Sequence, residues 1–319
     1  MIEVIHPGLL TTFQDLGRRG YQSFGVPIGG AMDTVSLEIA NYLVGNEADE
    51  GGLELTLSGT KLLFHQTATI AITGANLMPL VNEQPIPMGK AVSIEQGSLL
   101  TFSKVSHGCR GYVALAGGYD IEPVLQSMST YLRASIGGLD GRALRKGDQI
   151  LCKVSQSDLP CSDFTIRTED WWTRPRIRIV KGPEVHRFIE DQLANFVQTP
   201  YSVSPQSDRM GYRLDGAQLT PEQSEEMLSE PVTKGAIQVP ADGAPIVLMA
   251  DCQMTGGYPR IAQVIQADLP AMAQKKPGDI LHFEWVTWQE ARKALDHQRK
   301  QLKELAFSIQ ERRARHAYE

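Results

Sequence analysis

The alternation of hydrophobic and polar residues predicts β-strands along most of the chain. Residues 53–57 alternate strictly, residues 69–73 are rich in β-branched side chains, and residues 92–102 have the pattern of two strands joined by a turn. A further alternating strand is predicted at residues 176–180. The pattern therefore indicates a mainly β protein.

Three segments have helical spacing instead. Asp33 is a good N-cap for a helix that ends at Gly45. Residues 184–196 place apolar side chains on one helical face, which predicts a second helix. In the tail, apolar residues recur in steps of three and four from Trp288 to Ile309. This stripe favours an amphipathic helix packed on its own domain over a coiled coil formed between two protomers.

The length of the chain predicts about two domains. With 319 residues, of which 42% are hydrophobic, the chain can bury sizeable cores. Residues 155–175 are polar, contain two prolines and precede a clear strand, so the domain boundary is placed there. The predicted organisation is an N-terminal β-barrel domain over residues 1–160, a linker over 161–175, a C-terminal β-barrel domain over 176–286 and a helix over 287–319.

Short similarities between the two halves indicate a duplication. Each half has a strand–turn–strand unit that runs into Gly-Gly-Tyr, at residues 117–119 and 256–258. Residues 56–62 also share a pattern with residues 213–219. Two related β-barrels would follow from such a duplication.

Composition and charge exclude several classes of partner. A net charge of -6 and a pI near 5.7 give no basic footprint for nucleic acid. The first residues lack a secretory pattern and no apolar run could cross a bilayer, so we expect a cytoplasmic protein without a membrane partner. The cysteines lack metal-binding spacing and are interpreted as free thiols; they are Cys109, Cys152, Cys161 and Cys252.

Familiar catalytic signatures are absent from the sequence. It contains no Walker-type phosphate loop, no dinucleotide-binding glycine fingerprint after a strand, no HExxH helix and no GxSxG nucleophile elbow. Any nucleotide or acyl chemistry must therefore use other residues.

Charged and amide side chains cluster in glycine-rich turns at the ends of predicted strands. Loops on a rigid scaffold are where binding groups concentrate, so these turns form the candidate site. The candidate catalytic residues are Asp208, Arg209 and Asp251. The candidate substrate-binding residues are Asp15, Arg18, Arg213, Gln253, Thr255, Gly256, Gly257 and Tyr258, and no metal site is predicted.

A planar, polar ligand suits these side chains best. A guanidinium offers paired donors, and a carboxylate accepts hydrogen bonds from amide N–H groups. The expected groups are Asp15 with Arg18, Asp208 with Arg209 and Arg213, and Asp251 with Gln253 and Thr255. The alternative is that these pairs are structural and fix loops at the barrel rims.

At these residues the chain resembles the family of allophanate hydrolase subunit 2, or biotin-dependent carboxyltransferase-like, proteins. The similarity runs from about Val4 to Phe283. The segments that carry it are residues 14–21, 25–33, 40–41, 108–118, 207–213, 235–240 and 251–259. The resemblance implies two cyclophilin-like β-barrel domains and few helices.

The resemblance implies three alternative functions. The leading one is a component of an ATP-dependent 5-oxoprolinase, which opens the lactam of 5-oxo-L-proline to L-glutamate. The second is half of a biotin-dependent carboxyltransferase of the urea carboxylase type; since this chain has no Ala-Met-Lys-Met string, the biotin would be on another protein. The third is a non-catalytic regulator that binds a sporulation-kinase inhibitor.

Under the leading function, the protein would work only in a complex. The implied partners are an allophanate hydrolase subunit 1-like B subunit and a LamB/YcsF-type A subunit, with a small amide as substrate and with ATP and Mg²⁺ bound at the level of the complex. Asp208 and Asp251 would accept protons or hold metal, while Arg209 and Arg213 would neutralise developing negative charge.

Two departures from the family pattern remove arginines. The family reads Gly-Ser-Arg-Ser-Thr where residues 126–130 read Gln-Ser-Met-Ser-Thr. It reads Asp-Arg-Gln-Thr-Thr-Gly-Gly-Tyr-Pro where this chain has Cys252 and Met254. If those arginines bind a carboxylate or phosphate in relatives, their loss would weaken that contact.

Overall fold

The chain forms two compact units. The computed structural model describes residues 1–153, 164–222 and 227–316. Unit 1 comprises Met1–Arg18, Gly29–Trp171 and Gln301–Glu319, and unit 2 comprises Arg19–Ile28 and Trp172–Lys300. The first part of the predicted linker, residues 161–163, lies outside the described residues.

Unit 1 consists mainly of short strands. They are β1 (Ile2–Pro7), β2 (Leu10–Gln14), β3 (Gly52–Thr56), β4 (Thr60–Phe64), β5 (Ala68–Asn76), β6 (Pro79–Val81), β7 (Gln84–Pro85), β8 (Ala91–Ile94), β9 (Leu99–Phe102), β10 (His107–Leu115) and β11 (Gln149–Ile150). One sheet has the order β11-β1-β4-β9-β6-β7 and the other β2-β3-β10-β5-β8. Both contribute to one core, which includes Val4, Phe13, Leu55, Leu62 and Ile72. The two sheets are therefore barrel-like.

The strand predictions in this unit are confirmed, with one addition from the topology. The two strands predicted within residues 92–102 are β8 and β9, but β8 pairs with β5 and β9 pairs with β4 and β6. The two strands therefore belong to different sheets, although a short turn connects them.

The alternating strand β3 is buried on both faces. Its polar residue Glu54 is 1% exposed. The Glu54 carboxylate accepts hydrogen bonds from the Met32 N–H at 2.8 Å and from the Tyr112 hydroxyl at 2.7 Å. A buried carboxylate requires such donors, which here come from the segment before the first helix and from the neighbouring strand β10.

Helix α1 (Thr34–Val44) has the caps that the sequence predicts. The carboxylate of Asp33 accepts the Ser36 N–H at 3.0 Å, and Gly45 ends the helix in the left-handed conformation with a φ of 76°. The apolar face, which includes Val35 and Ile39, packs on unit 1. Local capping rules are sufficient to define this helix.

Unit 2 is built around one large sheet. Its strands are β12 (Ile177–Lys181), β13 (Tyr201–Val203), β14 (Gly211–Asp215), β15 (Glu230–Pro231), β16 (Ala236–Gln238), β17 (Ile246–Leu248), β18 (Thr255–Gly256), β19 (Arg260–Val264), β20 (Ile280–Leu281) and β21 (Phe283–Trp285). Eight of them follow the order β20-β13-β14-β17-β16-β19-β12-β21, and β15 pairs with β18. Two short helices, α2 (Glu190–Gln198) and α3 (Leu269–Ala273), accompany the sheet.

Aromatic side chains occupy the core of unit 2 beside α2. The rings of Phe196 and Phe283 stack with centroids 5.0 Å apart, and Tyr201 meets Phe196 edge-on at 5.5 Å. Such pairs favour offset and edge-to-face contacts in addition to their burial. This packing fixes α2 against the strands.

The helix predicted at residues 184–196 is wrong in its first half. After a short 3-10 turn, Phe188 is extended with φ -118° and ψ 137°, and α2 begins only afterwards. Ile189, expected to face inward, is 40% exposed. The carboxylate of Glu184 binds the guanidinium of Arg260 with a closest distance of 2.6 Å. This tertiary contact fixes the chain before the helix and overrides the local apolar spacing.

The C-terminal helix α4 (Trp288–His316) carries the predicted stripe, of which Leu302 and Ile309 are buried, whereas Trp288 is 67% exposed. In unit 2, Ala291 packs in a small cluster, and Gln298 donates a hydrogen bond to the Ala267 carbonyl at 3.0 Å. In unit 1, Leu302 and Ile309 pack with residues of α1. The stripe therefore packs on its own chain, as the sequence predicts.

The predicted fold class is confirmed. The described residues form a mainly β protein with barrel-like sheets, four α-helices and a long helix at the C-terminal end. In the described part of the chain, no helix combines the length and the apolarity that crossing a bilayer requires. The described cysteines, Cys109, Cys152 and Cys252, form no disulfide with one another, and Cys161 lies outside the described residues.

Candidate functional site

Asp15 fixes a loop of unit 1 from the end of strand β2. It is 7% exposed. Its Oδ1 accepts hydrogen bonds from the Gly17 N–H at 2.8 Å and the Ser127 hydroxyl at 2.7 Å, and also from the hydroxyl of Ser129. Its Oδ2 accepts the Met128 N–H at 2.6 Å. Donors at both oxygens compensate the buried carboxylate for the loss of water.

Arg18 contacts the same loop and is 0% exposed. Its Nη2 donates to the Ser129 carbonyl at 2.5 Å and its Nε to the Val124 carbonyl at 3.5 Å. A Cβ at Gly137 would lie only 2.6 Å from this Nη2, so the close approach requires glycine. Asp15 and Arg18, which the sequence groups together, therefore both bind the loop that contains Ser129.

Sequence reasoning does not identify the two serines that bind Asp15. Ser127 and Ser129 lie 112 and 114 residues from it along the chain. Between them, Met128 is 7% exposed and belongs to the core. A Cβ at Gly51 would lie 2.7 Å from the Met128 methyl group, so the thioether fills the space beside this glycine. Met128 is thus a packing residue.

Arg209 and Asp251 form a bidentate ion pair inside unit 2. Arg209 Nε lies 2.8 Å from Asp251 Oδ2, and Arg209 Nη2 lies 2.9 Å from Asp251 Oδ1. The side chains are 5% and 6% exposed. The Asp251 N–H also donates to the Arg209 carbonyl at 2.9 Å. The structure therefore joins two residues that the sequence assigns to different groups.

Asp208 and Arg213 lie on either side of Arg209 along the chain. Arg213 and Asp208 are both exposed. The Oδ1 of Asp208 accepts the Met210 N–H at 2.8 Å and the Gly211 N–H at 3.2 Å, an Asx-type turn. Arg213 belongs to β14, where it pairs with Ile246. Both charged groups remain accessible to a ligand from solvent.

The glycines of residues 251–259 allow two side-chain amides to approach the backbone. A Cβ at Gly256 would lie 2.8 Å from Nε2 of Gln238 and 3.4 Å from Nε2 of Gln253. Gln238 is 2% exposed and donates to the Tyr258 carbonyl at 3.3 Å. A Cβ at Gly257 would lie 2.9 Å from the carbonyl oxygen of residue 227. Gln238 is a member of this cluster that sequence reasoning misses.

The outer side of the same loop is exposed. Gln253 and Thr255 are exposed, and the ring of Tyr258 is 51% exposed. Cys252, in contrast, is 2% exposed, and burial raises the pKa of its thiol to about 11. The loop therefore presents amide, hydroxyl and phenol groups outward and keeps its thiol in the core.

Arg260 connects this loop to two carboxylates. Its Nε donates to Glu184 at 2.7 Å, its Nη2 donates to both Glu184 and Glu230, and its Nη1 donates to the Pro231 carbonyl at 2.8 Å. Burial opposes ionisation of Glu184, but the hydrogen bonds from Arg260 outweigh it and lower the pKa of Glu184. Arg260 thereby fixes β15, and β15 pairs with β18.

A groove of about 430 Å³ lies elsewhere in unit 1, beside strands β5, β6 and β7. Its walls include Met78, Leu80, Ile86 and Met88, with Arg167 as a charged group. The predicted site residues do not line it. Within the described ranges, no three His, Cys, Asp or Glu side chains come together as metal ligands.

Comparison with known proteins identifies the class. The family model described as carboxyltransferase domain, subdomain A and B, matches residues 24–285. The chain therefore belongs to this carboxyltransferase domain family, of which the allophanate hydrolase subunit 2-like proteins are part. Over 309 residues it is 40% identical to the C subunit of the 5-oxoprolinase of Escherichia coli (strain K12), covering 97% of this chain and 99% of the relative.

Solved structures agree with this class. The urea amidolyase of K. lactis superposes with a TM-score of 0.87 at 31% identity, covering 95% of this chain and 20% of that chain. The protein TTHA0988 superposes with a TM-score of 0.79 at 33% identity, covering 89% of this chain and 55% of that chain. In both structures the similar region is part of a longer polypeptide.

Proposed function

We propose that the protein is the C subunit of an ATP-dependent 5-oxoprolinase, which opens 5-oxo-L-proline to L-glutamate together with A and B subunits. The observation that carries this proposal is the end-to-end match with the C subunit of E. coli, at 40% identity over 99% of that relative. The urea amidolyase of K. lactis, in contrast, is matched over only 20% of its length.

The chemistry starts from a stable lactam amide. In the proposed route, the lactam oxygen attacks the terminal phosphorus of ATP and ADP leaves, which makes the ring carbon a better electrophile. Water then adds to that carbon, and the ring C–N bond breaks, with the nitrogen taking a proton, to give the amine and an acyl phosphate. A second water hydrolyses the acyl phosphate to the carboxylate of glutamate and free phosphate. ATP and Mg²⁺ are assigned to the complex as a whole.

The residues of this chain divide into two roles under the proposal. Asp208 and Arg213 are both accessible, so a carboxylate base and a cation remain available to substrate. Gln253, Thr255 and Tyr258 provide groups that can hydrogen-bond to a planar amide. The buried Arg209–Asp251 pair fixes the two segments that carry these groups, since its hydrogen bonds join residues 42 apart.

Reconstitution tests the proposal. The purified chain, the B subunit and the A subunit are mixed with 5-oxo-L-proline, Mg²⁺ and ATP, and glutamate and phosphate are measured. We expect equal amounts of both products from the full mixture and none when this chain is omitted. Product formation that does not depend on this chain would contradict the proposal.

Carboxyl transfer is the second candidate. The matching family model is named for a carboxyltransferase domain, and one of the similar solved structures is a urea carboxylase of Kluyveromyces lactis. Biotin would then be carried by another protein. Adding a carboxybiotin carrier and a urea-like acceptor distinguishes the two functions: a carboxylated product formed without ATP-dependent lactam opening would favour this candidate.

A further inference from the structure

Strands β15 and β18 form a small sheet that carries the outward-facing loop of unit 2, residues 253–258. Each strand contributes two residues to this pairing. Both residues of β15 are exposed, and an isolated two-stranded sheet is only marginally stable in water. The loop that presents Gln253, Thr255 and Tyr258 therefore needs contacts from outside the small sheet to hold its shape.

The guanidinium of Arg260 supplies such contacts. Arg260 belongs to β19, which lies within the large sheet between β16 and β12. Its Nη2 donates a hydrogen bond to the Glu230 carboxylate at 2.5 Å, and its Nη1 donates to the Pro231 carbonyl at 2.8 Å. One side chain of the large sheet thus binds both residues of β15.

The other side of this guanidinium is bound to Glu184. Arg260 Nε and Nη2 donate to the two oxygens of the Glu184 carboxylate at 2.7 Å and 2.6 Å. The two side chains are only 12% and 11% exposed. A Cβ at Gly182 would overlap the Arg260 carbonyl oxygen, so glycine allows this segment to approach β19. Glu184 thereby fixes the planar guanidinium in one orientation, which leaves its remaining N–H groups for β15.

An irregularity in the large sheet lies beside Arg260. The pairing of β16 with β19 shifts in register between Ile237 and Gln238, and Gln238 pairs with Arg260. Such irregularities change the direction of nearby side chains and are common next to functional sites. Gln238 donates a hydrogen bond to the Tyr258 carbonyl at 3.3 Å. Two paired residues therefore hold the loop, one at its end and one through β15.

We infer that Arg260 is a positioning residue for substrate, because it determines through β15 where the groups of residues 253–258 meet a planar amide. The inference rests on the proposed function, which gives Gln253, Thr255 and Tyr258 their contact with substrate. Arg260 acts through the loop, since its hydrogen bonds go to two carboxylates and a carbonyl. Binding groups must be held within about 0.5 Å of their productive positions, so a loosened loop binds substrate more weakly.

The expected signature is a raised KM for 5-oxo-L-proline with little change in kcat. Loss of binding that is equal in the ground state and the transition state has this effect. Arg260→Lys keeps the charge but lacks the planar fork that reaches Glu184 and β15 together. In the reconstituted complex, KM should rise about tenfold and kcat should stay within about twofold of the wild type.

Glu230→Gln is the second variant, and it keeps the inference testable if Arg260→Lys does not fold. Glu230 is 53% exposed and the Pro231 contact remains, so the protein should fold and KM should rise about threefold. The matched control is Asp296→Asn on α4. Asp296 also binds an arginine and is 54% exposed, but it lies outside this contact, so its KM should equal that of the wild type.

Amide hydrogen exchange of the full chain without partners provides an independent measurement. In Arg260→Lys and Glu230→Gln, peptides that cover residues 253–258 should exchange faster than in the wild type, because the loop opens more often. Peptides from the large sheet should exchange at the wild-type rate. Asp296→Asn should leave the exchange of residues 253–258 unchanged.

The outcomes separate the inference from the proposed function. If the wild-type complex opens the lactam and both variants keep its KM, Arg260 is not a positioning residue. Unchanged exchange at residues 253–258 would overturn the inference as well, and so would a fall in kcat at constant KM. If the wild-type complex does not open the lactam, the proposed function is wrong and the inference fails with it.

Discussion

The guanidinium of Arg209 binds the carboxylate of Asp251 through two parallel hydrogen bonds of 2.8 Å and 2.9 Å. Both side chains are almost fully buried. In this geometry each charged group is the hydrogen-bonding partner of the other. The pair therefore joins the two segments that carry the candidate residues of unit 2.

Breaking this pair should destabilise the protein. Arg209→Ala or Asp251→Asn is expected to lower the free energy of unfolding by about 3 kcal/mol, because one charge is left buried without its partner. Replacing both, as Arg209→Met with Asp251→Leu, should recover part of that loss. Urea unfolding followed by circular dichroism measures the effect. The control is Asp215→Asn, because Asp215 is exposed on the neighbouring strand β14. If Arg209→Ala and Asp251→Asn were as stable as this control, the pair would not stabilise the fold.

Replacing Asp208 should separate chemistry from stability. An asparagine keeps the side-chain oxygen that accepts the Met210 and Gly211 N–H groups, so Asp208→Asn should change the free energy of unfolding by less than about 0.5 kcal/mol. If the carboxylate is the base, turnover in the reconstituted complex should fall about a hundredfold or more. Full turnover in this variant would remove Asp208 from the chemistry.

The ion pair of Glu184 with Arg260 should make stability depend on pH in the acidic range. The pKa of Glu184 is lowered from the usual 4.5. Glu184 therefore contributes stability above its unfolded-state pKa, and this contribution is lost as the pH falls through the lowered value. Glu184→Gln should cost stability at pH 7, and the difference from wild type should shrink below about pH 4.5. Urea unfolding from about pH 3 to pH 7 measures the difference in free energy of unfolding between the wild type and Glu184→Gln. Glu95→Gln is the control, because Glu95 is exposed. A difference that stays constant over this range is incompatible with the prediction.

Arg313 should stabilise the C-terminal end of α1. Its Nη1 donates to the Leu43 carbonyl at 3.3 Å, and its guanidinium lies where a side chain at Gly45 would be. Because a cation favours the negative end of a helix, Arg313→Ala should lower the free energy of unfolding by about 1 kcal/mol. Gly45→Ala should cost at least about 1 kcal/mol, since it adds a clash at a positive φ of 76°. Thermal melting measures the effect of both substitutions. The control is Arg299→Ala, because Arg299 is exposed on α4, the helix that also carries Arg313, and its replacement should have little effect.

Local features of the fold could be predicted from the sequence. The cap at Asp33 and the stop at Gly45 define α1 because they act within one turn of the helix. The stripe of α4 follows from spacing alone. The helix predicted at residues 184–196 is wrong in its first half because Glu184 binds Arg260, a residue far along the chain.

In the candidate site, too, the sequence predicts local features but not the contacts between distant residues. The sequence points to the turns that carry Asp15, Arg209 and Asp251, because glycines and charged residues at strand ends are visible locally. The sequence gives no indication of which charged side chains form ion pairs, since these contacts depend on the register of strands that are far apart along the chain. Sequence reasoning therefore misses Ser129 and Gln238, and it does not identify Arg209 as the partner of Asp251.

The packing of Met128 limits which side chains position 128 can take. Its side chain belongs to the hydrophobic core and lies against Gly51. An arginine at this position would put a guanidinium where a thioether is packed, and a charge without water or a partner is costly there. A charged side chain at position 128 therefore requires compensating changes at the residues that surround it.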